Sequence, residues 1–347
     1  MSKPNLQPVF IREVVIKAIR TFFDQRQFHE VITPTFNVAI PLEPNIFSFS
    51  STWKPLGEER TFYLSTSPES GLKKMLAQGS GNCYAIGKCF RNMEGAGSRH
   101  NPEFLMLEWY REDAVYTDIM ADVEELLRFV KLRVAEYIQD DSQLTLLLEE
   151  TIIDFEKKWP VLSMEQLFSQ HAHLDMKSIL EDESLQTLMQ QRGYHVENAT
   201  WSQLFDQLFL NEVEPYLPTQ PFFLVDFPRR LSPLCKVNAA KPYLAERFEA
   251  FINGIEIANG NNENLDVEAI QTSFENEAQA RQKQGLATHP YDQSFLTALR
   301  LMRERGTSYA GIGMGIDRIA MMMAGVNNLS DVEPFSIQNQ LAALTSL

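Results

Sequence analysis

Cysteine is scarce: Cys83, Cys89 and Cys235 are the three in a chain of 347 residues. Three cannot build a disulfide framework, and no His/Cys spacing reads as a zinc site. They fit reduced, buried thiols in a cytoplasmic protein. Long hydrophobic runs are missing as well. No stretch approaches the roughly eighteen apolar residues of a membrane span, and the start, MSKPNLQPVFIREVV, lacks the basic-then-apolar order of a secretion signal. Positive charge is in deficit, with 31 Lys+Arg against 46 Asp+Glu and a net charge of −15. That argues against broad, sequence-independent nucleic-acid binding while leaving room for a local basic groove. Internal repeats and low-complexity segments are absent. What remains is ordinary globular composition, 44% hydrophobic and 22% charged, long enough for one large domain or two medium ones.

Apolar residues at helical spacing, Phe10, Val14, Val15, Ala18, Ile19, Phe22 and Phe23, predict an amphipathic first helix. A short extended piece, His29–Thr33, follows and stops at Pro34, which cannot donate to a sheet ladder. A second helix is predicted over Asp118–Ile138, capped by Thr117 or Asp118, with Ile119, Val123, Leu126, Leu127, Val130 and Val134 on one face. Residues 140–220 read as an acidic, helical insertion. Strands return at Phe222–Phe227, Phe248–Ala258 and Tyr309–Ile319. Strands at both ends without βαβ alternation predict an α+β fold with an antiparallel sheet, one domain carrying an insertion.

Three stretches hold chemistry. In Ala85–Tyr110, two strand-like runs, Ala85–Arg91 and Phe104–Tyr110, flank a polar loop. A period of two puts Phe104, Met106, Glu108 and Tyr110 on one face and Leu105, Leu107 and Trp109 on the other. The first face is a poor dry core and a good ligand floor. Arg91 closes the first run, where a guanidinium can take a phosphate bidentately, and the loop adds Arg99, His100 and Asn101. A solvated hairpin with a charged tip fits the same spacing. In the second stretch, Glu249–Glu263, Asn253-Gly254 is a two-residue hairpin signal. That turn pairs 252 with 255, 251 with 256 and 249 with 258, making Glu249 and Glu256 diagonal neighbours about 7 Å apart at the backbone. Paired carboxylates suit Mg²⁺ shared with phosphates; two exposed glutamates on a wet face fit equally. The third stretch is Gly311–Arg318. Alternate glycines let something flat lie against the strand, Arg318 starts a helix, and close strand packing is the plainer reading.

Together the stretches resemble the signature motifs of class II aminoacyl-tRNA synthetases. The first helix with His29–Pro34 resembles motif 1, FRN…RHNPEF…LEWY motif 2, and GIGMGIDR motif 3. TSPE at 66–69, RHNPEF at 99–104 and ANG…E at 258–263 are similar to the lysyl branch. Bacterial lysyl-tRNA synthetases carry an anticodon-binding domain before motif 1, whereas here motif 1 begins by about residue 10, so no such N-terminal domain is expected. That organisation, with LEWYR at 107–111, HPYDQ at 289–293 and VEP at 213–215, resembles the elongation factor P–(R)-β-lysine ligase family.

The resemblance implies the class II catalytic fold, an antiparallel sheet flanked by helices. It also implies ATP and Mg²⁺ as cofactors, lysine or (R)-β-lysine as substrate, elongation factor P as protein acceptor, and a homodimer through motif 1. With no general tRNA grip in so acidic a chain, stable tRNA binding is not expected. Arg91 would bind the α-phosphate and the amino-acid carboxylate. Phe104 and Arg318 would sandwich adenine, while His100 and Asn101 would hold the triphosphate. Asn92, Met93, Ile257 and Gly315 would complete the ATP site, and Glu249 and Glu256 would carry Mg²⁺. Glu69 would receive the α- or β-ammonium, and Glu108, Tyr110 and Glu263 the far one. Ser67, Pro68, Asn259 and Gly313 would complete the amino-acid site.

Departures from the family pattern are local. Met93 stands where glutamate usually follows RN, with Glu94 as its possible replacement in a loop one residue longer. Asn261 replaces an aromatic residue. Gly313 and Ser232-Pro233-Leu234 are similar to the synthetases rather than to the β-lysine ligases, which have alanine at 313. Two further functions compete: a truncated synthetase paralogue charging tRNA or a small molecule, and a non-catalytic regulatory paralogue. The second loses ground because Arg91, Arg318, Glu249 and Glu256 are all present. Arg229, Arg230, Lys236 and Lys241 form the one evident basic cluster near the motifs, either an acceptor-docking patch or a solvated turn.

Overall fold

The computed structural model describes residues 5–345 except 94, 96, 141–144, 149 and 198; Glu94, considered above, lies outside the described residues. Helix α1 (Gln7–Gln25) begins with Pro8 in its first turn, where a missing N–H costs nothing. It buries Ile11, Val15, Ala18, Ile19, Phe22 and Phe23. Phe10 departs from that expectation and is 45% exposed. At about 100° per residue it points about 140° away from Val15, so Ile11 takes the core position instead. Strand β1 (His29–Glu30) is followed by a small antiparallel sheet of β2 (Phe36–Asn37), β3 (Ser50–Trp53) and β4 (Arg60–Leu64). Helix α2 (Glu69–Ala77) leads to the long hairpin β5 (Cys83–Phe90) and β6 (Glu103–Glu112). Helix α3 (Tyr116–Ile138) starts two residues before the predicted Asp118. Asp118 is not the cap: its carboxylate accepts from the Val115 N–H at 2.8 Å from inside the first turn.

The insertion is less helical than expected. It opens with a hairpin, β7 (Thr145–Leu148) and β8 (Thr151–Asp154), and then supplies β9 (Val161–Ser163), which joins the main sheet. Thr, Ile and Val at these positions favour strands. Helices follow only from there: α4 (Met164–Leu167), α5 (Asp182–Gln191) and α6 (Trp201–Glu212), around a separate apolar cluster that includes Phe168, Phe205 and Leu208. Next come β10 (Phe222–Pro228), β11 (Leu244–Ile252) and β12 (Ile255–Asn262), then α7 (Val267–Lys283) and α8 (Gln293–Arg305). Strand β13 (Tyr309–Gly315) ends earlier than the predicted 319, because α9 (Ile316–Met323) begins at Ile316 rather than Arg318. The short α10 (Leu329–Val332) and α11 (Ile337–Thr345) close the described chain.

The main sheet runs β1-β5-β6-β13-β12-β11-β10-β9 among the described residues. Its pairs from β5 to β10 are antiparallel, as predicted, and the outermost pairs, β1/β5 and β9/β10, are parallel. One face buries Leu107, Trp109, Ile312 and Met314 against α1, α3 and α9. The other face opens into a cavity. At the β11/β12 hairpin the turn holds 252 opposite 255 and 251 opposite 256, with Asn253 and Gly254 both at positive φ. An extra residue on β12 then shifts the register, so Glu249 faces Asn259, not residue 258. A bulge of this kind re-aims a side chain, and Glu249 and Glu256 still line one cavity.

Candidate active site

The cavity on the open face encloses about 790 Å³, within the size of small-ligand sites. Its floor is the β6 face read from the sequence, Phe104, Met106, Glu108 and Tyr110. The alternate glycines of β13 serve this floor. A Cβ on Gly311 would fall 2.2 Å from the Tyr110 ring, so the flat group lying against the strand is the protein's own tyrosine. A Cβ on Gly313 would sit 3.3 Å from Glu108 Oε1 and 3.5 Å from Met106 Sδ.

Charge in the cavity is crowded. Lys73, on α2 and 2% exposed, holds Glu69 and Glu263 at 2.5 Å each. Burial alone would make this ammonium easier to deprotonate, but Glu263 and Glu69 outweigh it and hold it charged well above the usual lysine range. Glu108 is 6% exposed, and its Oε2 has no hydrogen-bond partner among the described residues. Burial, and then repulsion from Glu69, push its carboxyl well above the usual range, against a hydrogen bond from Ser67. A buried carboxylate left unsatisfied is costly unless a cation arrives. At the other side of the cavity Arg247 ion-pairs with Glu249 at 2.7 Å, donates to Asn259 Oδ1 at 3.1 Å, and lies over the Phe227 ring. Burial, and then the neighbouring Glu256, raise Glu249 to about 8. Two repelling carboxylates with Arg247 on one flank fit a hard divalent cation that also takes phosphate oxygens. No larger His/Cys/Asp/Glu cage occurs among the described residues.

The motif 2 loop is tied to motif 3. Arg318 donates to Glu256 O at 2.6 Å and to Arg99 O at 3.4 Å, and its other nitrogen lies 2.9 Å from His100 Nε2. The neighbouring Asp317 accepts from Arg12 of α1 at 2.8 Å and from the Leu105 N–H at 2.7 Å, locking α9 to both α1 and β6. Arg91 donates to Thr66 O at 3.4 Å, with its guanidinium 5.3 Å from the Phe104 ring centre. Asn101 is buried, and its Oδ1 has no hydrogen-bond partner among the described residues.

Of the residues singled out by sequence, the cavity brings together Ser67, Glu69, Arg91, His100, Asn101, Phe104, Glu108, Tyr110, Glu249, Glu256, Ile257, Asn259, Gly313, Gly315 and Arg318. Four do not line it. Pro68 borders a smaller neighbouring pocket, Asn92 pairs through its backbone with Phe47, Met93 is 65% exposed, and Glu263 is sealed behind Lys73. Sequence reasoning missed Lys73, Arg247 and Glu43. A lysine at i+4 from Glu69 was a visible signal for the first. An arginine two residues from Glu249 on one strand face was visible for the second. The basic cluster is largely neutralised: Arg230 pairs with Asp182, Lys241 with Glu165 and Lys236 with Glu246.

Burial, and then Glu69, raise Glu43 to about 7; burial raises Glu263 to about 7 against the pull of Lys73. Both folded values exceed the ordinary 4.5, so the folded protein binds these protons more tightly than the unfolded chain. Their stabilisation is full below about 4.5 and declines as pH rises through about 7. Thermal melts of the ligand-free protein at pH 5, 6, 7 and 8 should show that decline, with a shallower slope for Glu43→Gln.

A largely antiparallel sheet with this floor, an arginine just past the end of β5 and a helix after β13 that carries Arg318 in its first turn fit the catalytic domain of a class II aminoacyl-tRNA synthetase. The family profile described as tRNA synthetases class II (D, K and N) matches residues 1–339. An elongation factor P–(R)-β-lysine ligase of Photorhabdus laumondii is 34% identical over 331 residues, 94% of each chain. The protein of that name from Yersinia enterocolitica is 33% identical over the same share. A lysine–tRNA ligase of Chloroflexus aurantiacus is 34% identical over 325 residues, covering 92% of this chain but 63% of its own. The chain belongs to the class II synthetase family and, within it, to the family of the elongation factor P–(R)-β-lysine ligases it matches over 94% of their length. It is an amino-acid ligase. Among the described residues no helix is long and apolar enough to cross a membrane.

Proposed function

We propose that this chain is one cytoplasmic catalytic domain that activates lysine or (R)-β-lysine with ATP and transfers it to a lysine side chain of elongation factor P. The observation that carries the diamino-acid part is Glu108, a buried carboxylate with an unpartnered oxygen in the cavity floor. A neutral side chain would leave it unpaired, which a polar site punishes strongly. Similarity over 94% of the length of ligases of that name supports the protein acceptor. In the first step the substrate carboxylate attacks the α-phosphorus, pyrophosphate leaves and an aminoacyl adenylate forms. In the second, the acceptor's neutral ε-amine attacks the carbonyl, AMP leaves and an amide forms, the amine's proton passing to solvent. Arg91 orients the carboxylate and α-phosphate, Phe104 and Arg318 flank the adenine, and His100 and Asn101 hold the outer phosphates. Glu249 and Glu256 would hold Mg²⁺, which would supply charge neutralisation on the triphosphate. No side-chain nucleophile is required.

The test is incubation with ATP, Mg²⁺, isotopically distinct α- and (R)-β-lysine, elongation factor P and bulk tRNA, followed by intact masses. A shift on elongation factor P supports the reading; a shift on tRNA alone replaces it with a minimal synthetase. Gly313→Ala should change the α-to-β preference by about tenfold, because one methyl at 3.3 Å from Glu108 must displace that carboxylate. An unchanged isotope ratio would remove Gly313 from substrate choice. The homodimer belongs to the same reading. Phe10, Ile32, Phe36 and Val38 are all exposed around motif 1, Ile32 to 95%, and such apolar surface suits a two-fold interface. Light scattering at micromolar concentration should give twice the chain mass, and Ile32→Glu should halve it.

A further inference from the structure

The cavity holds a carboxylate that belongs to none of the three motifs. Glu43 sits between β2 and β3 and lines the same space as Glu69 and Glu108. Its loop is fastened from several sides. Leu42 is fully buried with Leu72 and Leu76. Arg281 of α7, 2% exposed, donates to Glu43 O at 2.6 Å and Ile46 O at 2.9 Å while its guanidinium lies over Phe47. Asn45 reaches Ser202 of α6 at 3.4 Å. A side chain on so rigid a support is positioned rather than left to wander.

The pairing pattern gives Glu43 its meaning. Glu263 is spent on Lys73, and Glu69, which still lines the cavity, is partly engaged by the same ammonium. The carboxylates facing the amino-acid end without a cation of their own are Glu108, more than nine-tenths buried with an orphan oxygen, and Glu43, whose carboxylate has no hydrogen bond or ion pair among the described residues. Arg91, Lys73 and Arg247 are near enough to attract Glu43, and Glu69 to repel it. A diamino acid brings two ammonium groups, and the cavity offers two unshared carboxylates to meet them. Resting on the diamino-acid reading above, we propose that Glu43 is a specificity-determining residue. It receives the ammonium nearer the substrate carboxyl while Glu108 receives the far one, with Glu69 shared between that ammonium and Lys73.

The test is ATP–pyrophosphate exchange by the wild type and Glu43→Gln, which keeps shape and removes charge. Lysine and (R)-β-lysine are varied separately, and 6-aminohexanoate, carrying only the far ammonium, is the competitor. Losing a charged hydrogen bond should raise the KM of the preferred diamino acid about 10- to 100-fold. The KM for ATP and the inhibition constant of 6-aminohexanoate should stay within twofold, and Glu43→Asp should recover part of the loss. An unchanged diamino-acid KM, or equal rises in all three constants, overturns the proposal and leaves the ligase reading standing. A wild type that exchanges with neither lysine isomer removes the reading and the proposal together.

Discussion

Lys73→Met is expected to cost about 3–5 kcal/mol of folding stability, the penalty for stripping the partner from a buried charge. The side chain is 2% exposed and its ammonium bridges Glu69 and Glu263 at 2.5 Å. Without it, Glu69, Glu263, Glu108 and Glu43 crowd one low-dielectric space with no internal cation between the first two. Urea unfolding at pH 7 reads the loss directly. The double variant Lys73→Met with Glu263→Gln should regain part of it, since one of the stranded carboxylates is then neutral. A loss below about 1 kcal/mol would mean that the clamp is solvated and contributes as little as a surface ion pair. Catalysis should suffer in parallel, because Glu69 then loses the ammonium that holds it in the cavity wall.

Arg91→Ala should lower adenylate formation by about 10²- to 10³-fold, the usual effect of removing a preorganised donor from developing negative charge. Arg91 leaves β5 at the rim of the cavity, its guanidinium held by Thr66 O and flanked by the Phe104 ring. That position suits a bidentate grip on a carboxylate and a phosphate, which a lysine's point charge cannot reproduce. Arg91→Lys should therefore recover little. Pyrophosphate exchange at saturating ATP separates this loss from weaker nucleotide binding. A variant that kept its rate and lost only ATP affinity would make Arg91 a binding residue alone.

Much of this protein was legible in local pattern. The period of two on β6 picked out the residues that face the cavity, because a strand with a dry core on one side and an open cavity on the other must alternate in kind. The three-to-four spacing in α1 and α3 named their core faces, with Phe10 as the exception. The Asn-Gly turn set the hairpin that carries Glu249 and Glu256, although the extra residue at the bulge was invisible, since register beyond a turn depends on what each side chain meets across the sheet. The insertion was read as helical because its acidic, leucine-rich later half dominates; its strands form by pairing with each other and with β10.

Fold class and the order of the motif residues thus lie in the one-dimensional pattern, where periodicity and turn chemistry act over a few neighbours. Which charges are spent and which are left over is a three-dimensional matter. Lys73 meets Glu263 across 190 positions of chain, Arg12 meets Asp317 across 305, and Arg281 pins the Glu43 loop across 238. Each pairing forms because burial makes an unpaired charge too costly to leave alone, and burial exists only once the sheet has closed its two faces. The tertiary structure therefore decided that Glu263 pairs with Lys73 outside the cavity lining, and that Glu43 and Glu108 line the cavity without an ion pair among the described residues.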